Sequence, residues 1–383
     1  MLIARFPPTL GGAEIQCSRL SGWLARNGHD VVVLTEKSIP DQPDRERVDG
    51  FDVIRFGTWG GLPWSSLGYG IKALSYLLTH KDFDVLHAHM IATPAITASL
   101  AGLILKVPVL IKVTGGRRTG DFSTSQSSFL GQVKLWLVKR GHSRVVCPSQ
   151  ETYQEAKSFG IPPERLSYIP NGVDTAYFSP AISLKSRLRS SLQWSESALV
   201  AIYVGRWAKG KGVETLLDLW EAGASRPDFP WHLALVLSDP APEAMAKRIQ
   251  RLQGRIHTAY GVMDTRPYYQ AADLAILLSE GEGLSNFLLE AMSCALPTLT
   301  TAAAALPDAE ADKTGTHTLP PNAQAATESL TYLTQLAKQI NRLATLGEAA
   351  RRHIDKNYSL DQVGLSYLTL YKNMNCYDKS IHG

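Results

Sequence analysis

Two stretches hold residues whose types and spacing could handle a phosphorylated ligand. The first, Gly205–Gly212, reads GRWAKGKG and sets Arg206 and Lys211 among flexible glycines. Charge-assisted hydrogen bonds from such cations to a pyrophosphate would contribute about 1.5–3 kcal/mol each. The second, Ser279–Cys294, reads SEGEGLSNFLLEAMSC. It places Glu282 in a glycine loop and Glu290 eight residues later, beyond Ser285 and Asn286, where a helical pattern opens. The first N–H groups of a helix lack partners inside it and its dipole is positive there, so the loop that leads into it offers an anion site. The glutamates cannot serve that anion. A carboxylate about 5 Å from a phosphate charge is repelled by about 3 kcal/mol at an effective dielectric near 20, so these acids suit neutral hydroxyls such as those of a sugar. Taken alone, each stretch also reads as an ordinary turn with solvated charges.

Both stretches follow short apolar runs, and the elements around them repeat that pattern. Strands are expected at Val31–Thr35, Asp52–Phe56, Val85–His89, Val109–Thr114, Arg144–Ser149 and Leu166–Pro170. After a turn-rich run, Ile169–Pro180, a second series follows at Leu199–Gly205, His232–Ser238, Arg255–Tyr260, Leu274–Leu278 and Leu296–Thr301. Helical patterns separate most of these runs. The alternation predicts an α/β protein of two parallel, doubly wound sheets, with ligands at the carboxyl ends of the strands. At 383 residues the chain suits two domains of similar size.

The net charge of +4 is too small to argue for nucleic acid. Its distribution is uneven: residues 1–174 carry 19 basic and 15 acidic side chains, and the remainder 20 of each. Leu110–Arg144 alone holds seven cations against Asp121. Cys17, Cys147, Cys294 and Cys376 show no paired spacing, which points to reduced thiols in a cytoplasmic protein without a structural metal. The most hydrophobic window, Met90–Ile111, is broken by Pro94, Lys106 and Pro108, so no membrane span is expected.

The first half offers further candidates. Gly11 and Gly12 precede a helical pattern and resemble a phosphate-approach loop, although no G-x-G-x-x-G is present. Asp82 and Asp84 form a D-x-D pair, but they precede their strand and sit at its wrong end for a ligand metal. His87 and His89 share one strand face, and His89 is placed to reach a cleft, with a structural histidine as the alternative. Thr114, Arg117 and Arg118 also follow a strand. Phe129–His142 alternates apolar and basic residues at helical spacing, which suits either core packing or an anionic membrane surface.

PPTLGGAE near the start, DVLHAH at Asp84–His89, IPNGVD at Ile169–Asp174, VGRWAKGKGV at Val204–Val213 and EGLSNFLLEAM at Glu282–Met292 together resemble the group 1, or family 4, retaining glycosyltransferases. That resemblance implies the GT-B fold: a Rossmann-like acceptor domain over residues 1–174, a nucleotide-sugar donor domain over 175–357, and a terminal helix, 358–383, that returns to the first. It also implies that Arg206 and Lys211 hold the donor diphosphate, Glu282 the transferred sugar and Glu290 the ribose. Backbone near Gly12, Gly283, Leu284 and Ser285 would approach the phosphates and sugar, and His89, Thr114 and Arg117 would lie on the acceptor side.

The implied activity is sugar transfer with retention, without metal or other cofactor, from a nucleotide-diphosphate-sugar to a glycan or lipid-linked glycan. Peripheral contact with an anionic inner membrane is part of that expectation. Departures from the family pattern are Thr114 where a histidine is usual, Ser238–Pro242 in place of a glycine turn, and alanines at Ala302–Ala305. They leave a noncatalytic nucleotide-sugar-binding subunit, a same-fold epimerase or a phosphorylase as alternatives.

Overall fold

The computed structural model describes residues 1–8, 11–58, 60–61, 64–115, 120–126, 129–319 and 324–382. Two compact units result: Met1–Gly172 with Leu360–Gly383, and Val173–Ser359. Val173 begins the second unit because its N–H donates to the Tyr358 carbonyl at 3.0 Å and it bridges to Ser359.

Unit 1 contains strands β1 (Val32–Glu36), β2 (Arg45–Val48), β3 (Phe51–Phe56), β4 (Leu86–His89), β5 (Val109–Lys112), β6 (Arg144–Cys147) and β7 (Leu166–Tyr168). Leu2 bridges in parallel to both Leu34 and Ala88, and so joins β2-β3-β1 to β4-β5-β6-β7. All pairings are parallel except β2 with β3, a hairpin closed by Asp49 and Gly50, both at positive φ, as a two-residue turn requires.

Alternation along the strands sends side chains to two layers. Leu86, Ala88, Val109, Ile111, Val145 and Cys147 pack with Tyr69, Ala73, Ala95, Ala98 and Val138 from the helices Trp64–Thr79, Thr93–Leu105 and Phe129–Arg140. Leu110 and Val146 point the other way, toward Leu20, Trp23, Val363 and Tyr367 of the opening helix, Gly12–Arg26, and the terminal helix, Leu360–His382. Those two helices meet closely because Gly364 lacks a side chain; a Cβ there would lie 2.4 Å from the Trp23 ring. The Trp23 indole N–H donates to Asp361 Oδ1 at 2.6 Å, which fixes the contact.

Unit 2 is one six-stranded sheet of β8 (Leu199–Gly205), β9 (Trp231–Leu237), β10 (Ile256–Tyr260), β11 (Leu274–Leu277), β12 (Thr298–Thr301) and β13 (Thr316–Leu319). Its order is β10-β9-β8-β11-β12-β13, all parallel. The chain winds one way from β8 to β10 and the other way from β11 to β13. The crevice outside the carboxyl ends of β8 and β11 is therefore a topological switch point, where open α/β sheets bind ligands. Trp220 and Trp231 are fully buried in this unit's core. Among the described residues no helix is long and apolar enough to cross a membrane.

Candidate active site

The two chemically loaded stretches leave the sheet of unit 2 at that switch point. After β8 the chain passes Arg206 and turns through Gly210, at φ +84°, and Gly212, at φ +77°, into the helix Val213–Ala224. A Cβ on Gly212 would lie 2.2 Å from the Leu278 carbonyl oxygen, so only glycine lets this loop rest on the end of β11. The contact is sealed by the Gly210 carbonyl, which accepts from the Glu280 N–H at 2.8 Å and from the buried Ser279 hydroxyl at 3.0 Å.

The second loop is braced from the opposite side. Thr301 donates its hydroxyl to the Ser279 carbonyl, and the Glu282 N–H donates to the Ala303 carbonyl at 3.2 Å. The alanine run after β12 thus supports the loop that carries Glu282. Lys211 Nζ reaches Glu282 Oε1 at 2.7 Å and Oε2 at 2.8 Å. The lysine side chain is 29% exposed and the carboxylate 14%, so the pair is shielded but open to a ligand. Arg206 is exposed, and its carbonyl accepts from the Tyr203 hydroxyl at 3.1 Å. Burial, reinforced by the nearby Glu282 carboxylate, raises the Tyr203 hydroxyl above the usual phenol range, so it stays a donor.

Gly283 and Leu284 lead to Ser285, the N-cap of the helix Asn286–Ser293, whose hydroxyl is not spent on a capping bond. Glu290, one turn into this helix, is 7% exposed, and its Oε2 accepts from the Tyr269 hydroxyl at 2.8 Å. Burial first, then the adjacent Glu290 carboxylate, raises the Tyr269 hydroxyl well above its ordinary range. Glu282 and Glu290 are therefore each oriented by a different partner, an ammonium and a phenol, one in the loop and the other in the helix that follows it.

The model of Glycosyltransferase Family 4 matches residues 10–177, and that of Glycosyl transferases group 1 matches residues 198–336. The chain belongs to this glycosyltransferase family. The D-inositol 3-phosphate glycosyltransferase of Kineococcus radiotolerans is 24% identical, over 89% of this chain and 86% of that protein. Among solved structures, Anabaena HepE in complex with UDP-glucose superposes with a TM-score of 0.78 at 17% identity, covering 97% of this chain and 99% of that one. The sucrose-phosphate synthase of Thermosynechococcus elongatus gives 0.77 at 20% identity, covering 98% of each. The fold is GT-B, with two Rossmann-like parallel-sheet units.

The glycosyltransferase resemblance also named residues in unit 1. Gly12 opens the helix Gly12–Arg26. A Cβ on the preceding Gly11 would lie 2.1 Å from a Glu14 carboxylate oxygen, so Gly11 allows Glu14 to fold back over the first turn. Asp82 and Asp84 are exposed ahead of β4, at its amino end, and no cluster of three or more His, Cys, Asp or Glu able to hold a metal occurs among the described residues.

His89 does not stand at the strand end facing outward; it is wholly buried. The period-two face that it shares with His87 is covered by the terminal helix, where His87 Nδ1 lies 2.7 Å from the Tyr371 hydroxyl and the two imidazoles stack at 4.4 Å. Neither His89 nitrogen has a hydrogen-bond partner, and burial with the nearby Lys112 charge keeps the ring neutral.

Thr114 is tied to Asp121, the one acid of the basic segment Leu110–Arg144. The Thr114 N–H donates to Asp121 Oδ2 at 2.8 Å and its hydroxyl approaches Oδ1 at 3.4 Å. Asp121 is 6% exposed, and burial pushes its carboxyl up to about 6 despite those bonds and one from the Ile91 backbone. It ties together the residues just beyond β4 and β5. Arg117 lies outside the described residues.

Proposed function

We propose that this glycosyltransferase moves a sugar, with retention of anomeric configuration and without a metal ion, from a nucleotide-diphosphate-sugar to a glycan or lipid-linked glycan. The setting proposed is surface polysaccharide assembly, such as exopolysaccharide, capsule or lipopolysaccharide, at the cytoplasmic face of the membrane. The observation that carries the donor half is the Lys211–Glu282 pair at the switch point between β8 and β11. It puts a phosphate-binding cation and a hydroxyl-binding carboxylate side by side, next to the exposed Arg206 and the helix start at Ser285.

In this reading Arg206 and Lys211 take the diphosphate and stabilise the charge that grows on it as the glycosidic bond breaks, a preorganised electrostatic term. Glu282 orients the sugar hydroxyls, Glu290 takes the ribose, and backbone at Gly283–Ser285 completes the anion cradle. Neither glutamate is assigned as a nucleophile. Support comes from relatives of the same fold, one holding UDP-glucose and another, WaaG, involved in lipopolysaccharide biosynthesis.

The test is a panel of nucleotide-diphosphate-sugars screened by thermal unfolding. A donor at about 100 times its dissociation constant adds about 2.7 kcal/mol, or roughly 5–10 °C in a domain of this size. Transfer from the responding donor, followed with Glu282→Gln, should then be lost. A panel that leaves the melting temperature unmoved, or full transfer by Glu282→Gln, would refute the assignment.

A further inference from the structure

The buried carboxylate of Glu290 is oriented by Tyr269, and Tyr269 is itself held by the first residues of unit 2. Directly after Val173, Asp174 folds the chain into a turn. Its Oδ1 accepts from the Ala176 and Tyr177 N–H groups at 3.1 and 2.9 Å, and its carbonyl from the Phe178 N–H at 2.8 Å. Three consecutive residues of this segment then hold the short helix Arg266–Ala271. The Arg266 guanidinium lies over the Tyr177 ring, 4.4 Å from its centroid. The buried Phe178 ring meets the Tyr269 ring edge to face, with 5.9 Å between centroids. Gln270 Nε2 donates to the Ser179 carbonyl at 2.7 Å. Buried rings in this arrangement add direction to packing, so Tyr269 cannot swing its hydroxyl off Glu290 without disturbing Phe178.

Arg351 ties the same segment to the Glu290 helix by a second route. It lies in the helix Ile340–Asn357, and its Nε donates to Asp355 Oδ2 at 2.8 Å, which aims the rest of the guanidinium at three backbone carbonyls. Nη1 donates to the Phe178 carbonyl at 2.9 Å and to that of Ser293, and Nη2 to the Thr175 carbonyl at 2.9 Å. Ser293 is the last residue of the helix Asn286–Ser293 that carries Glu290, where a cation complements the negative end of the helix dipole. The buried Ser293 hydroxyl donates to the Phe178 carbonyl as well. The helix of Arg351 in turn ends at Tyr358, whose carbonyl accepts from the Val173 N–H.

We propose that Phe178 and Arg351 are positioning residues of the donor site, and that they couple occupancy at Glu290 to the segment Asp174–Ser179, where the chain has just passed from unit 1 to unit 2. The inference rests on the reading of Glu290 as a donor contact, but its first test needs no donor. A coupling free energy is reciprocal: loosening the segment weakens the ligand, and the ligand stiffens the segment.

Hydrogen exchange of the full chain is followed first without ligand. Tyr269→Phe removes one buried hydrogen bond and should speed exchange of the 174–179 amides about fivefold. Unchanged exchange there would overturn the coupling whether or not a nucleotide binds. UDP, ADP, GDP, CDP and thymidine diphosphate are then added in turn. The nucleotide that binds should slow the same amides, and Arg351→Gln should weaken it about tenfold by calorimetry well below the variant's melting temperature. An arginine with a purely structural role would lower the melting temperature and leave that affinity alone. In a Glu290→Ala background, Arg351→Gln should cost only about twofold, because the contact that it positions is already gone. Unchanged affinity in Arg351→Gln, or fully additive losses, would overturn the proposal. If Tyr269→Phe loosens the segment and no nucleotide binds, the coupling stands and the donor reading of Glu290 falls.

Discussion

The Lys211–Glu282 pair makes opposite predictions for its two members. Both carboxylate oxygens lie within 2.8 Å of the same ammonium, so in the ligand-free protein the cation is partly neutralised before any diphosphate arrives. Hydrogen bonds to charged groups are worth about 1.5–3 kcal/mol, and partial exposure of the lysine reduces the net coupling of the pair to about 1 kcal/mol. Lys211→Ala should weaken nucleoside diphosphate binding about 10- to 100-fold, because the bond to phosphate is lost outright and Glu282 is left to repel the ligand. Glu282→Gln should instead tighten the diphosphate about fivefold by releasing the lysine, while sugar transfer falls. Titration calorimetry with a nucleoside diphosphate lacking the sugar measures both, and the double variant closes the cycle. If Glu282→Gln weakened the diphosphate as much as Lys211→Ala does, or the cycle showed no coupling, the pairing would not be part of the donor site.

Three further outcomes follow from individual contacts. Gly212→Ala should cost at least about 2 kcal/mol, from a left-handed backbone and a Cβ forced against the Leu278 carbonyl; it should lower the melting temperature roughly 4–8 °C and weaken the diphosphate at least tenfold, and a variant with unchanged melting and binding would refute the contact. Tyr269→Phe removes the buried donor to Glu290, so donor KM should rise about tenfold with a smaller change in kcat; a fall in kcat alone would argue against Glu290 as the ribose residue. Asp121, raised by burial from 3.8 to about 6, binds its proton more tightly folded than unfolded, so stability falls as pH rises between those values, by about 3 kcal/mol. Urea unfolding of wild type and Asp121→Asn at either end of that window should show the difference; parallel profiles would contradict it.

Much of unit 2 was legible because its strands are short apolar runs with sharp glycine ends: Leu199–Gly205 is observed with the same bounds as expected. Two strands were missed for opposite reasons. β2 reads RERV, an edge strand with no buried apolar face, yet Asp49-Gly50 just after it is a strong hairpin signal. β13 reads THTL and is held by threonines, Thr316 against Thr298 at 2.9 Å, rather than by an apolar pattern. Period two put His87 and His89 on one face correctly, but nothing local could say what covers that face, because Tyr367 and Tyr371 come from the other end of the chain. Lys211 and Glu282 were each singled out, whereas their pairing depends on β8 and β11 being neighbours, a non-local fact that strand propensity does not encode. Asp121 was read only as the lone acid in a basic segment, since its burial depends on the residues beyond two strands.

The pair also explains how an acid can sit beside a diphosphate at all. Unscreened, Glu282 would repel a phosphate about 5 Å away by about 3 kcal/mol, roughly what a good cationic contact gains. An ammonium donates three hydrogen bonds in diverging directions, so Lys211 can keep one on the carboxylate and turn others to phosphate, bridging the two acids and leaving carboxylate lone pairs for sugar hydroxyls. A guanidinium holds its donors in one rigid plane: with its fork on Glu282 it cannot swing its remaining N–H groups toward the phosphate as a rotating ammonium does. Lys211→Arg therefore keeps the charge but should weaken diphosphate binding about tenfold and suppress transfer further. Adding Glu282→Gln to Lys211→Arg should restore the binding and not the transfer. Undiminished transfer by Lys211→Arg would mean that charge alone is required at this position, and the bridging role would fall.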